Sequence, residues 1–136
     1  MKYRYREPHE MKDSGVEWLG MIPKEWEVRK LGECVDFYNG KAHESEVDFD
    51  GKYILVNSKF VSTEGKVKKY TNLELFPLRK DDITMVMSDV PNGKAIAKTF
   101  LIDENNKYTL NQRICCLRAI KDIEPRFLNN VVNRNK

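Results

Sequence analysis

The sequence predicts an α+β domain, built mostly from a twisted antiparallel and mixed β-sheet with short helices. Three observations carry this. First, the apolar runs are short and rich in β-branched residues: YILVN at 53–57, ITMVM at 83–87, AIAKTFLI at 95–102 and ICCLRAI at 114–120. Runs of this length between turn formers read as buried strands. Second, helical spacing is confined to brief stretches, the clearest being Phe127, Leu128, Val131 and Val132 near the C-terminus. Third, 136 residues with 40% hydrophobic content suit a single domain with its own core.

Taken in order, residues 1–11 (MKYRYREPHEM) are polar and aperiodic, and are expected to form a flexible tail. Residues 12–33 hold both tryptophans, Trp18 and Trp26, among the breakers Gly15, Gly20, Pro23 and Gly32. So many breakers exclude one long helix. Trp18, Leu19, Ile22 and Trp26 are expected to bury as a clasp over the core. Residues 27–30 lack an apolar stripe and read as a short extended piece. Leu31, Val35 and Tyr38 are spaced as on a helix over 31–38, ended by Asn39-Gly40. An acidic loop at 41–52 precedes the strand at 53–57. Asn57-Ser58 caps or turns the chain, Phe60 and Val61 pack locally, and Thr63-Glu64-Gly65 makes a turn. The basic segment KVKKYT spans 66–71, and an irregular half-buried stretch containing Pro77 follows. The strand at 83–87 leads through SDVPNGK to the strand at 95–102. Residues 108–110 and 114–120 supply a further strand or strand pair around Asn111-Gln112-Arg113. Glu124-Pro125 opens a helix, with Pro in its first turn.

Cys34, Cys115 and Cys116 are odd in number and two are adjacent, so they read as buried reduced thiols rather than a disulfide framework or a zinc site. His9 and His43 are isolated and receive no catalytic or ligand role. No apolar run approaches the length of a membrane span, and the N-terminus lacks the apolar segment of a signal peptide. The expected location is the cytoplasm. The net charge of +3 is unevenly spread. Residues 1–50 carry 8 Lys and Arg against 12 Asp and Glu, whereas residues 51–136 carry 16 against 9. That asymmetry is compatible with a basic face on the second part.

KDSGVEWLGMIPKEWEVRKLGE at 12–33 closely resembles the opening of a target recognition domain from the specificity subunit of type I DNA restriction–modification systems. The likeness continues through GKYILVNSKFV, LRKDDITMVMSDVPNGKAIA and YTLNQRICCLRA, and EPRFLNNVV is similar to the start of the family's connector. The resemblance implies a recognition domain over 12–123, preceded by the 1–11 tail and followed at 124–136 by the start of a connector helix. Members of this family carry two recognition domains, each followed by a long helix. This chain is therefore expected to be a first recognition domain present alone and lacking the long connector. The resemblance further implies sequence-specific recognition of double-stranded DNA. Adenine methylation and restriction would be performed by partner modification and restriction subunits, which would hold S-adenosylmethionine, ATP and Mg²⁺. The chain itself would need no cofactor, and a longer half-subunit could form a homodimer.

The chemistry in the residues agrees with a non-catalytic role. There is no Asn/Asp-Pro-Pro-aromatic motif for an extruded base, no Gly-x-Gly-x-x-Gly, and no Walker A loop; Gly93-Lys94 reads as a turn. Asp50-Gly51-Lys52 and Glu64-Gly65-Lys66 each offer an acid-x-Lys triplet, and so a stand-alone metal-dependent nuclease is one alternative. An interaction remnant without DNA binding is another. DNA binding needs only presented basic and amide side chains: Lys and Arg neutralise phosphates, while Arg, Asn and Gln can bond base edges. The candidates are loop residues between strands: Asn57, Ser58 and Lys59; Lys66, Lys68, Lys69 and Tyr70; Ser88, Asn92 and Lys94; and Asn111, Gln112 and Arg113.

Overall fold

A computed structural model describes residues 5–43, 47–88 and 96–133. The chain forms two compact units, Met1–Glu33 and Cys34–Lys136.

The first unit is a small hairpin. A 3₁₀ turn at Pro8–Glu10 leads into β1 (Met11–Asp13), which pairs antiparallel with β2 (Met21–Pro23). The turn closes on itself, with the Glu7 N–H donating to the Glu10 carboxylate at 2.8 Å. The hairpin loop is held by short polar groups. The Gly15 N–H donates to Asp13 Oδ1 and the Val16 N–H to Ser14 Oγ, and Gly15 and Gly20 take left-handed conformations (φ 78° and 66°). Within this unit the tryptophans form no buried pair. Trp18 is 85% exposed and Trp26 53%; of the four expected clasp residues only Ile22 is buried. Backbone and Asp/Ser hydrogen bonds already close the loop, so aromatic burial is not needed to hold its shape.

Across the boundary between the units the expected helix over 31–38 is replaced by one helical turn, α1 (Leu31–Cys34), and then, in the second unit, by a strand, β3 (Val35–Asn39). Pairing decides the outcome: β3 joins β9 (Ile114–Ala119) along its whole length, from Val35↔Ala119 to Asn39↔Cys115. Tertiary pairing of β-branched and aromatic residues overrides a weak three-and-four spacing. The four-stranded antiparallel sheet is completed by β6 (Ile83–Val86) and β7 (Thr99–Leu101), in the order β3-β9-β6-β7. The strand expected over 95–102 is thus shorter, because Ala97 turns with φ 67° and its N–H bonds the Val86 carbonyl.

A second, three-stranded sheet runs β5-β4-β8. Here β4 (Tyr53–Val56) lies antiparallel to β5 (Lys69–Thr71) and parallel to β8 (Tyr108–Leu110). Burial of Ile54, Leu55 and Val56 in succession explains why β4 reads as a continuous apolar run. Asn57 follows, and its side-chain oxygen accepts from the Phe60 N–H at 2.9 Å to cap helix α2 (Ser58–Ser62). α2 buries Phe60 and Val61 against Val56, Val86, Tyr108 and Leu110, with Phe60 stacked edge-on to Phe100 at 4.7 Å.

The segment 76–78 runs beside β8 and shields its edge, with Leu110 N–H bonding Phe76 O and Leu78 N–H bonding Tyr108 O. His43 is fully buried here. The Leu75 N–H donates to its Nε2 at 3.3 Å, which places the ring proton on Nδ1, where it donates to Lys41 O at 2.6 Å. All three cysteines are buried free thiols, and burial pushes Cys115 up to about 11 and Cys116 further.

The last helix, α3 (Pro125–Val132), begins as expected, its Glu124 side chain accepting from the Arg126 N–H. Its apolar residues divide, however. Leu128 and Val132 pack on Ile83, Cys115 and Leu117, while Phe127 and Val131 stay 65% and 64% exposed. Among the described residues no helix is long and apolar enough to cross a membrane.

Candidate nucleic-acid interface

The candidate residues lie far apart in sequence, yet strand register brings their loops to one end of the second unit. β4 and β8 are parallel with Val56 beside Leu110, so 57–59 and 111–113 leave the sheet side by side. The Asn111 N–H donates to Val56 O at 3.0 Å and fixes that adjacency. β5 runs antiparallel to β4 with Lys69 opposite Leu55, which puts 66–68 at the same end. β8 passes to β9 through Gln112 and Arg113 alone, apart from the bridging Asn111. In the other sheet, the Met87 N–H bonds Arg113 O at 3.3 Å and the Gly40 N–H bonds Ile114 O at 3.1 Å. The exits of β3 and β6 therefore open at this end too, as does the entry to β7, where Val86 N–H bonds Lys98 O.

Gly40 is required where these segments cross. A Cβ there would come within 1.9 Å of the Asn111 carbonyl oxygen, so the glycine serves a close backbone approach rather than a helix end. Asn111 is buried and structural; its Oδ1 accepts from the His43 N–H at 3.0 Å. Gln112 and Arg113 are exposed, and Arg113 adopts φ 68°, a left-handed conformation that costs a non-glycine residue about 1–2 kcal/mol.

The other candidates divide by environment. Lys59, Lys66, Lys68 and Lys69 are exposed, and Asn57, Ser58 and Ser88 are half-buried. Asn57 commits its side-chain oxygen to the helix cap. Tyr70 packs against the core within β5, one pair into the sheet, opposite Ile54. Asn92 and Lys94 lie outside the described residues. Lys41 and Lys98, which are not among the sequence candidates, also sit at this end through the register of β3 and β7.

The charge that results is polar along the strands. In the described connectors at this end (40–43, 57–68, 87–88, 96–98 and 111–113), together with Lys69 at the start of β5, there are seven cations and one acid, Glu64. In those at the opposite end (47–52, 79–82, 102–107 and 120–124) there are eight acids and five cations. A cleft of about 610 Å³ near the acidic end is lined by Tyr38, Arg79, Asn105, Asn106 and Arg118 among others. The Arg118 guanidinium is already held there by two hydrogen bonds to the buried Asp82, at 2.8 and 2.9 Å, which raise its pKa, and it lies over the Tyr38 ring. The two acid-x-Lys triplets fall at opposite ends, Asp50 and Lys52 at the acidic one and Glu64 and Lys66 at the basic one. Among the described residues no three His, Cys, Asp or Glu side chains gather as a metal site would need.

This arrangement, two small sheets presenting grouped loops at one basic end, belongs to a fold shared with solved structures. The chain superposes on a crystal structure of the HsdS subunit from Thermoanaerobacter tengcongensis with a TM-score of 0.64 at 15% identity, covering 91% of this chain and 30% of that one. It also superposes on a chain from a structure described as the basis of complex assembly and conformational transition of the type I R-M system, with a TM-score of 0.67 at 16% identity, covering 92% and 30%. The chain thus spans under a third of the length of either. No curated protein sequence matches it. Residues 23–133 match the type I restriction modification DNA specificity domain, and the chain belongs to that family.

Proposed function

We propose that this protein is a DNA-recognition module that reads double-stranded DNA through the basic end of its second unit and performs no chemistry itself. The observation that supports this most is the grouping, among the described residues, of seven cations against one acid where four connectors leave two sheets. Cations on presented loops neutralise backbone phosphates and release counterions, and the amide and guanidinium groups of Gln112 and Arg113 have the geometry to bond base edges. Family membership supports specificity for sequence as well as for charge. In this reading methylation and cleavage belong to partner subunits of a type I complex, together with any S-adenosylmethionine, ATP or Mg²⁺. The chain is the recognition part, with the start of a connector at 124–136, and it works in the cytoplasm. Its likeness to a chain from a structure of type I complex assembly supports a place among such partners. The exposed Phe127 and Val131 of α3 are available for one of them.

The test is selection of the purified protein against a randomised duplex pool, followed by sequencing of the retained DNA. Enrichment of a short motif, with affinity falling steeply as salt rises, is the expected outcome. Absence of duplex affinity at low salt would leave an interaction fragment that does not read DNA. Mg²⁺-dependent cleavage by the pure protein, lost in Asp50→Ala or Glu64→Ala, would establish the nuclease instead.

A further inference from the structure

Among the clustered lysines, Lys68 is held differently from its neighbours. Its Nζ donates to the Gly65 carbonyl at 2.5 Å. That carbonyl belongs to a turn fastened at every step. Thr63 Oγ1 donates to Lys59 O at 2.7 Å and accepts from the Val67 N–H at 3.1 Å. The Gly65 N–H donates to Phe60 O at 2.8 Å, and the Lys66 N–H to Thr63 O at 3.1 Å. Glu64 and Gly65 are both left-handed, with φ 55° and 81°. Gly65 is buried, and a Cβ on it would meet the Phe100 ring at 3.1 Å and the Phe60 ring at 3.4 Å. The turn is therefore seated on the core. Lys68 reaches back across it, while Lys66 and Lys69 flank it as exposed residues.

We infer that Lys68 is a positioning residue. It straps the 63–68 turn so that Lys66 and Lys69 are presented to DNA phosphates, and does not itself neutralise a phosphate. This rests on the DNA-binding reading above. The physical ground is entropic: a lysine carries much rotamer freedom, and a loop that must be ordered on binding weakens affinity by that ordering. A strap made in the free protein removes part of that loss before DNA arrives.

Salt dependence separates the two roles. Each phosphate neutralised contributes about 0.9 to the slope of log K against log salt, whereas ordering of a loop lowers affinity by the same factor at every salt concentration. Duplex binding is measured over a salt series for the wild type, Lys66→Ala, Lys69→Ala and Lys68→Met, the last keeping the aliphatic stem. Amide exchange of Lys66 and Val67 is followed in the DNA-free proteins. The expected result is a slope reduced by about 0.9 in Lys66→Ala and in Lys69→Ala. Lys68→Met should keep the wild-type slope, bind more weakly at every salt concentration, and exchange faster at Lys66 and Val67. A slope reduced in Lys68→Met overturns the assignment, as do wild-type affinity or unchanged exchange in that variant. If the wild type binds no duplex at any salt, the DNA reading itself falls, and the assignment falls with it.

Discussion

At the scale of single residues, two polar groups carry opposite lessons about stability. Asp82 is buried, and its two carboxylate oxygens are taken up by Arg118 and by the Arg79 N–H. Removing one member of a buried pair strands the other, so Asp82→Ala is expected to cost about 3–5 kcal/mol by urea denaturation. Arg113 is exposed, and the cost of its place lies in backbone conformation, with φ 68°. Arg113→Gly is expected to stabilise the fold by about 1 kcal/mol while weakening duplex binding, a trade measured by denaturation and fluorescence anisotropy on the same protein. Neither effect was legible in the sequence. Asp82 sits in a polar turn, KDD, that looks solvated, and Arg113 in a loop whose residue types do not fix its backbone angles; the burial of Asp82 appears only once β9 sets Arg118 beside it, and the left-handed φ of Arg113 only once β8 and β9 are joined by so short a connection.

Elements show where sequence reading succeeds and where it gives out. The strands at 53–56 and 83–86, the cap at Asn57 and the start of α3 were legible, because an apolar run between turn formers, or a proline in a first turn, fixes its own local structure. The segment 31–38 misled, since its spacing fits a helix and its residue types fit a strand, and only the partner β9 decides between them. Trp18 and Trp26 run against the average for another reason: within the first unit Trp18 sits on a loop already closed by Asp13 and Ser14, which keeps its shape without aromatic burial, and Trp26 lies past β2, outside that loop. Strand β8 offers a test of packing at this scale. Tyr108 is buried among Phe60 and Phe100, its hydroxyl donates to Asp103 at 2.8 Å, and burial together with that bond lifts its pKa from the ordinary 10 to about 12. A folded-state pKa above the unfolded one stabilises the protein fully below pH 10, and the contribution is lost as pH rises toward 12. Ultraviolet titration should therefore show phenolate absorbance still rising toward pH 12, a late step that Tyr108→Phe removes, and the same variant should flatten the fall in stability across that window.

For the molecule as a whole, the lesson lies in what register does to scattered charge. The sequence shows only that its second part is basic; it does not show that antiparallel and parallel pairings sort the cations of 41, 59, 66–69, 98 and 113 to one end. Lysines from the two ends should then behave differently although both are surface residues. Lys98→Ala is expected to lower the salt slope of duplex binding, and Lys121→Ala to leave it unchanged, in the same anisotropy assay. The sorting also bears on the time before contact. A unit positive at one pole and negative at the other, as the described residues of the second unit are, feels a torque in the field of a polyanion once within about a Debye length, roughly 10 Å at 0.1 M salt. If the protein reads DNA as proposed, encounters that arrive acid-end first would be turned or repelled, and those that arrive loops first would be held. Its first choice would then be one of heading rather than of sequence, settled in the approach, before any base is within reach.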